Sequence, residues 1–251
     1  MTQNHPKLPT DPYYEGVPDY MTEVYDWAYV NPKRVDQLDH NMVVKVLLFG
    51  NDQRLMRAYL NEIKPGMKVW QVAHVYGDLV RKVAQKVGPD GEFHLSDITP
   101  AQIEHAQAKL ALYPWAKVVR SDAATYQSQL SFDLICSFFL LHEVPDEKKR
   151  SIVDHMLSQM PVGGKVLFVD YHRPSLWQPI RWILKWVNAK LEPFAEALWN
   201  NEISHYASQA EKYHWQKRTI FGGVYQIVSV TRTMPQPPLS RSNPASSSSR
   251  S

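Results

Sequence analysis

Polar and ionisable side chains follow several short apolar runs of this sequence. They are residues 71–79 (QVAHVYGDL), Asp97, Asp122, residues 142–143 (His-Glu) and residues 170–172 (Asp-Tyr-His). If the apolar runs are parallel strands, their carboxyl ends meet along one edge of the sheet, which is where doubly wound proteins bind their ligands. We therefore expect these residues to form one binding site.

Two of the acids suit the recognition of a nucleoside. Asp97 comes about 20 residues after the loop 71–79, where an acid can accept both hydroxyls of a ribose. Asp122, in the triplet Ser-Asp-Ala, can accept an adenine amino group. The alternative for each is a carboxylate that caps a turn or a helix, and Asp97 does precede Thr99 and Pro100. The interval between the two acids favours the nucleoside.

The pattern of apolar residues predicts the scaffold that must hold these side chains. Five short apolar runs, MKVWQVAH, EFHLSD, AKVVRSD, FDLICSFFLL and KVLFVD, alternate with helical patterns at 78–88, 100–111 and 146–159. This alternation predicts an α/β fold with a doubly wound, mostly parallel sheet. The run KRTIFGGVYQIVSVTR predicts an antiparallel hairpin at the edge of that sheet.

The predicted organisation has four parts. We expect a flexible segment at 1–18, a helical leader or cap at 19–63 with helices near 34–49 and 52–62, and a Rossmann-like domain at 64–234. That domain contains a helical insertion at 176–214. Residues 235–251 are rich in Pro and Ser and are predicted to be disordered.

The composition argues against several classes of protein. The 251 residues carry 28 basic and 25 acidic side chains, a net charge of +3 that is too small for a dedicated nucleic-acid binder. Cys136 is the single cysteine, so no intrachain disulfide can form. No run of eighteen apolar residues predicts a spanning helix, and the first residues match neither a secretory signal nor a transit peptide.

The order of the strand ends over residues 64–231 resembles the class I S-adenosylmethionine methyltransferases. The resemblance implies a Rossmann-like fold and S-adenosylmethionine as co-substrate. In the first loop this family has an acid and alternate glycines, whereas this chain has Gln71, Ala73 and Val75 and keeps only Gly77. A dinucleotide fold of the NAD type would need those glycines. On this resemblance, the co-substrate site comprises Gln71, Ala73, His74, Gly77, Asp97, Ile98, Asp122 and Ala123.

A closer resemblance runs over residues 19–231, through VYDWAYVNP, LLFGNDQRL, VAHVYGDL, LHEVPDEKKR and VDYHRP. These segments are similar to the rhodoquinone biosynthesis proteins of the RquA family, relatives of the ubiquinone and menaquinone methyltransferases. The resemblance implies that ubiquinone becomes rhodoquinone when an amino group from S-adenosylmethionine replaces a ring methoxy group, with manganese(II) required. It implies a role in anaerobic respiration, at the cytoplasmic face of the inner membrane in a bacterium or in mitochondria in a eukaryote.

The altered loop suggests a reason for amino transfer. An acid at position 71 would hold the methionine amine as ammonium, whereas Gln71 leaves it easier to deprotonate and so more nucleophilic. Ala73, Val75 and Tyr76 add bulk that would misalign a methyl donor. We therefore predict catalytic roles for Gln71, Tyr76 and His142. The alternative is a decayed loop that binds the co-substrate weakly, against which Asp97 and Asp122 argue.

The metal ligands are less well indicated. Manganese(II) favours carboxylate, imidazole and water, and we predict Asp78, His142 and Glu143 as ligands, with Asp170 and His172 also near the strand ends. No spacing selects among them. His142 is equally suited to a structural hydrogen bond, or to orienting the substrate with no metal.

At helical spacing, residues 176–199 are predicted to form an apolar face that is bordered by tryptophans and lies opposite Arg181, Lys185 and Glu192. A helix of this kind suits the surface of a membrane, which a lipid quinone requires. The alternative is a lid packed on the domain, and both roles are compatible.

Three function classes follow. The first is quinone amino transfer, the second a conventional methyltransferase of a quinone or another lipid, and the third a noncatalytic Rossmann-like binding module. No protein partner is indicated.

Overall fold

The computed structural model describes residues 14–232. The predicted tail at 235–251 lies outside the described residues, as does most of the predicted flexible segment at 1–18.

A single seven-stranded sheet organises these residues, in the order β3-β2-β1-β4-β5-β7-β6. The first five strands are parallel, and β7 is antiparallel to both of its neighbours. The order in which the strands are added reverses at β1: β2 and β3 lie on one side of it, and β4 and β5 lie on the other. A crevice opens beyond the carboxyl ends of β1 and β4. This confirms the predicted α/β fold and its edge hairpin. The strands are β1 (Lys68–Val72), β2 (Glu92–Asp97), β3 (Ala116–Arg120), β4 (Leu134–Phe138), β5 (Lys165–Tyr171), β6 (Tyr213–Ile220) and β7 (Tyr225–Arg232).

Helices pack on both faces of the sheet, and four short ones form the leader. A π-helical turn, Asp26–Val30, separates the first two. The predicted helices at 78–88, 100–111 and 146–159 are present within one residue at each end. The helices are α1 (Asp19–Val24), α2 (Pro32–Leu38), α3 (Asn41–Leu47), α4 (Asp52–Leu60), α5 (Leu79–Val87), α6 (Pro100–Leu110), α7 (Asp146–Ser158), α8 (Arg181–Lys190) and α9 (Ala197–Asn200).

Two predicted helices are interrupted. The helix predicted at 34–49 is two helices, because the backbone is extended at His40. The Asp39 side chain accepts a hydrogen bond from the loop after β1. The insertion at 176–214 contains α8, α9 and two 3₁₀ turns, Ile203–Tyr206 and Ala210–Lys212, rather than one long helix. Pro193 disfavours helical backbone at the residue before it, so α8 ends upstream.

The strands alternate their side chains between two cores. Val69 packs with α4 and α5 on one face of the sheet, whereas Trp70 packs with α7 on the other. The leader has a small core of its own around Met21, Tyr25 and Val30. The leader and the insertion therefore lie against a complete α/β unit and line one end of it.

Candidate active site

A cavity of about 460 Å³ opens at the carboxyl ends of the strands, a size typical of small-molecule sites. The leader, the loop after β1, the ends of β2, β3 and β4, and helix α8 all contribute to its walls. Nine predicted site residues line it: Ala73, His74, Tyr76, Asp97, Ile98, Asp122, Ala123, His142 and Glu143.

Three predicted site residues do not line the cavity. Gln71 has no exposed surface, Gly77 is held against the leader, and Asp78 lies at the start of α5, where it pairs with Lys82 at 2.9 Å. Any role of Gln71 in the reaction is therefore indirect, through the loop above it.

Gln71 supports the loop from below. Its Nε2 donates to the carbonyl oxygen of Ala73 at 3.1 Å, and its Oε1 is buried with no hydrogen-bond partner. A glutamate here would place a buried charge beside that carbonyl oxygen, at a large desolvation cost. The amide keeps the region uncharged.

Ala73 occupies backbone that normally favours glycine. Its φ is +70°, in the left-handed region, where a Cβ is strained. The loop thus retains the backbone conformation of a glycine loop at a position where the glycine is absent.

A chain of hydrogen bonds joins this loop to the leader. Lys109 Nζ donates to His74 Nε2 at 3.2 Å, and His74 Nδ1 donates to Gln102 Oε1 at 2.6 Å. Gln102 Nε2 donates to the Tyr76 hydroxyl at 3.1 Å, and that hydroxyl donates to the carbonyl of Ala28. Burial and the Lys109 ammonium lower the pKa of His74 to about 3, so the ring is neutral and carries its proton on Nδ1.

Asp39 completes this connection from the leader. Its Oδ1 accepts from the Gly77 amide at 2.7 Å and from Lys109 at 2.6 Å. Burial raises the pKa of Asp39, but Lys109 outweighs that effect and the net pKa is lowered. The side chain of Asn41 accepts from the Asp78 amide at 3.0 Å, just before the first residue of α5. Sequence reasoning missed Asp39, Asn41 and Lys109, since no local motif marks them.

Asp97 is both a turn residue and a cavity residue. It accepts from the amide and hydroxyl of Thr99 through Oδ1, and from the His74 amide through Oδ2, all at 2.8–2.9 Å. A backbone hydrogen bond from Ile98 also lowers the pKa of Asp97, whereas burial raises it, and the net pKa is raised. The carboxylate is thus bound by its own turn and by the loop after β1, and it also lines the cavity.

Asp122 likewise combines two contacts. Its Oδ1 accepts from the Ala124 amide at 2.8 Å, and its Oδ2 accepts from Lys148 at 3.0 Å. The carboxylate is part of the cavity wall and is only partly exposed. The turn role and a nucleoside contact are therefore compatible at this position.

His142 is held by a buried carboxylate. Its Nδ1 donates to Asp170 Oδ1 at 2.8 Å, while the other Asp170 oxygen accepts from the Leu141 amide. Burial lowers the pKa of His142, but Asp170 and Glu143 more than reverse this and raise it to about 9. His142 is therefore an imidazolium at neutral pH, with Nε2 3.5 Å from Glu143 Oε1.

A second carboxylate comes from the insertion. Burial raises the pKa of both Glu143 and Glu192, and His142 lowers it at both. Glu192 raises the pKa of Glu143 further. Tyr25 of the leader donates to Glu192 Oε2 at 2.9 Å. Sequence reasoning did not predict this contact of Glu192, because Tyr25 lies 167 positions earlier in the chain.

The predicted manganese site is not supported. Within residues 14–232 no group of three or more His, Cys, Asp or Glu side chains is arranged to hold a metal ion. Asp78 pairs with Lys82, and His142 already uses Nδ1 to bind Asp170. The predicted trio of Asp78, His142 and Glu143 therefore does not come together as ligands.

Comparison with known proteins agrees with this architecture. Residues 75–166 match a family model described as a methyltransferase domain. The mitomycin 7-O-methyltransferase MmcR has a TM-score of 0.62 at 16% identity, covering 81% of this chain and 58% of that one. Human N-acetylserotonin methyltransferase, solved with S-adenosylmethionine, has a TM-score of 0.57 at 15% identity, covering 89% and 63%. The fold is that of the class I methyltransferases.

The chain is similar in sequence to proteins named as C-methyltransferases of ubiquinone and menaquinone biosynthesis. The ubiquinone/menaquinone biosynthesis C-methyltransferase UbiE of Bordetella parapertussis is 28% identical over 166 residues, covering 64% of this chain and 62% of the relative. UbiE of Idiomarina loihiensis is 31% identical over 139 residues, covering 53% and 55%. The chain spans about three fifths of the length of the curated relatives it matches. No helix in residues 14–232 is long and apolar enough to cross a bilayer.

Replacing Ala73 by glycine should stabilise the protein by about 1 kcal/mol, since it removes a Cβ from left-handed backbone. Thermal unfolding of the purified variant measures this. Ala123→Gly is the matched control, because Ala123 also lines the cavity but lies outside the left-handed region. An equal or lower midpoint for Ala73→Gly would contradict the strain.

Asp170→Asn should lower the pKa of His142, because burial remains and the main opposing charge is lost. In the wild type, the stability from charged His142 is complete below pH 6.5 and is lost as the pH rises through about 9. The variant should lose this pH-dependent contribution to the free energy of unfolding.

NMR titration of the His142 ring and unfolding at several pH values measure both effects. Asp154→Asn is the control, because Asp154 binds Ser208 instead. An unchanged His142 titration in Asp170→Asn would refute the assigned pair.

Proposed function

We propose that the chain binds S-adenosylmethionine in this cavity and transfers a group from it to the ring of a quinone. The methyltransferase fold, the named activity of the UbiE relatives and the nucleoside-type acids at the cavity support this. Bound there, S-adenosylmethionine supplies either an activated methyl group or an amino group.

The residues divide the cavity into two regions. Asp97 and Asp122, at the ends of β2 and β3, present acceptors for the ribose and the adenine amino group. His142 and Glu143, after β4, face the region where the quinone ring would lie. Tyr76 lines the wall between the loop and the leader. Burial raises the pKa of its hydroxyl further, so Tyr76 would position the bound molecules rather than exchange protons with them.

The comparisons favour methyl transfer as the identity of the reaction, since the relatives are named C-methyltransferases. A methyl acceptor on an aromatic ring must lose a proton, and this requires a base at the ring. Neutral His142 would suit that role, whereas the imidazolium held by Asp170 does not.

The Asp170 carboxylate on His142 Nδ1 is the observation that favours amino transfer, because it raises the pKa of the ring and favours the imidazolium. An imidazolium can donate a hydrogen bond to a quinone carbonyl, which makes the ring a better acceptor for a nitrogen nucleophile. The new bond joins nitrogen to the ring carbon, the ring C–OCH₃ bond breaks, and the methoxy group leaves as methanol. A proton shift from the methionine α-carbon then gives an imine on the reduced ring, and hydrolysis of that imine by water breaks the bond between nitrogen and the α-carbon. The amine stays on the hydroquinone, and the 2-oxo acid of the co-substrate is the co-product. The uncharged Gln71 beneath the loop is consistent with a neutral amine nearby.

We therefore propose amino transfer to ubiquinone, giving rhodoquinone, as the finer function, with methyl transfer to a quinone as the second candidate. The proposed location, at the inner membrane of a bacterium or in mitochondria, follows from the substrate alone. A noncatalytic module remains the outcome if neither product forms.

Asp97→Asn should weaken S-adenosylmethionine binding by roughly tenfold or more, because it removes a charged acceptor from the cavity. Oδ1 can still accept from Thr99, but the amide nitrogen that replaces Oδ2 no longer accepts from the His74 amide, so thermal unfolding checks that the variant is folded. Calorimetric titration measures the affinity, with Asp154→Asn as a surface control. Unchanged affinity would refute the ribose contact.

The origin of the product nitrogen decides the reaction. Purified protein with ubiquinone and S-adenosylmethionine carrying nitrogen-15 on its methionine amino group should yield an aminoquinone with one heavy nitrogen, detected by mass spectrometry. The assay is run with and without manganese(II). A product that gains a methyl group instead would establish the second candidate.

Gln71→Glu provides the companion measurement for the loop. A carboxylate beneath Ala73 should slow amination more than it weakens co-substrate binding, because it favours the ammonium form. Gln71→Met, which removes the amide without adding charge, is the control. Equal rates for Gln71→Glu and the wild type would rule out the electrostatic role.

A further inference from the structure

Exposed apolar side chains are concentrated in two segments of the described chain. In α3 and the residue pair after it, Met42, Val46, Leu47 and Phe49 are exposed, Met42 and Val46 by more than two thirds. The exposed residues of 176–191 are Leu176, Trp177, Trp182, Ile183, Trp186 and Leu191. Soluble proteins seldom leave large contiguous apolar patches uncovered.

The two segments adjoin one another. Leu48 and Leu184, on their inner faces, belong to one buried core. Both segments also contact the turn between β6 and β7: Phe49 stacks on Phe221 at 6.3 Å, and Gln178 Nε2 donates to the Phe221 carbonyl at 2.8 Å. The inner faces therefore anchor α3 and α8 on the domain, while their outer faces form one surface, the α3–α8 surface.

The cavity reaches this surface. Val46, Leu47 and Phe49 of the first segment and Leu191 of the second are exposed to solvent and also line the cavity. The apolar rim is thus continuous with the cavity wall.

The charge on the α3–α8 surface has one sign. Helix α3 carries Lys45, helix α8 carries Arg181, Lys185 and Lys190, and neither helix contains an Asp or Glu. The Lys185 ammonium lies 5.5 Å from the Trp182 ring. Basic residues interleaved with tryptophans suit the interface of a bilayer that contains anionic lipids.

A lid packed on the domain accounts for only part of this. Leu184 is buried as a lid residue would be, but Trp182 and Trp186 on the same helix are 74% and 63% exposed. The predicted continuous helix through Trp199 is also corrected, because Trp199 is buried in the core and does not share the exposed surface.

We propose that the α3–α8 surface docks on an anionic phospholipid bilayer, with the cavity opening toward the acyl chains. Both helices insert their apolar side chains at the interface, and their cations meet lipid phosphates. The use of this opening by a quinone with a long tail rests on the proposed function. The docking itself does not.

Flotation with quinone-free vesicles tests the docking. Wild-type protein should float with vesicles of phosphatidylcholine mixed with phosphatidylglycerol, and its tryptophan emission should shift to the blue. Two double variants, Val46→Ser with Leu47→Ser and Trp182→Ser with Trp186→Ser, remove apolar side chains that would be buried in the bilayer interface. Each should weaken vesicle binding by roughly tenfold or more, because less apolar surface is transferred from water to lipid. Lys45→Gln with Lys185→Gln should weaken binding to the anionic vesicles by roughly tenfold or more.

Leu112→Ser with Val162→Ser is the matched control, since both residues are exposed and apolar but lie outside the α3–α8 surface. It should bind vesicles as the wild type does. Absence of wild-type flotation would overturn the proposal, as would equal losses in this control. A dimer by light scattering that the Val46 and Trp182 variants abolish, without vesicle binding, would instead make the surface an interface between copies.

A water-soluble quinone with a short tail separates this proposal from the proposed function. Its conversion by protein that does not float would leave the function standing and overturn the docking. Flotation without conversion of any quinone would do the reverse.

Discussion

The hydrogen-bond chain from Lys109 through His74 and Gln102 to Tyr76 is the connection on which the cavity depends. Each member donates to the next, and the chain ends on a leader carbonyl. Because these groups are buried, loss of one member leaves its neighbours without partners, at a cost well above that of one exposed hydrogen bond. The leader is thereby held as a wall of the cavity.

This connection gives a structural purpose to the altered loop. His74 and Tyr76 supply the polar atoms that reach α6 and the leader, and Tyr76 also stacks on Tyr29 at 5.7 Å. A loop of alternating glycines would have no such side chains. The class I fold is retained in its strands, while the side chains of the loop serve to hold the leader rather than to leave space for a ligand.

A second set of buried charges joins the remaining parts. Asp170 at the end of β5 holds His142, and Glu192 of the insertion binds Tyr25 of the leader. Carboxylates from the domain and the insertion thus surround one imidazolium in a region of low polarity. Asp170 and Glu143 raise the pKa of His142, and burial raises the pKa of both Glu143 and Glu192.

Sequence alone determined the order of strands and helices and the meeting of Asp97, Asp122 and His142 at one edge, because apolar periodicity and parallel topology depend on local pattern. It did not indicate that Gln71 lies beneath the cavity rather than in its wall, or that the helix predicted at 34–49 is interrupted at His40. It also missed the pairing of Asp39 with Lys109 and of Tyr25 with Glu192. These features join residues 70 and 167 positions apart, and such contacts are specified only when packing brings distant elements together.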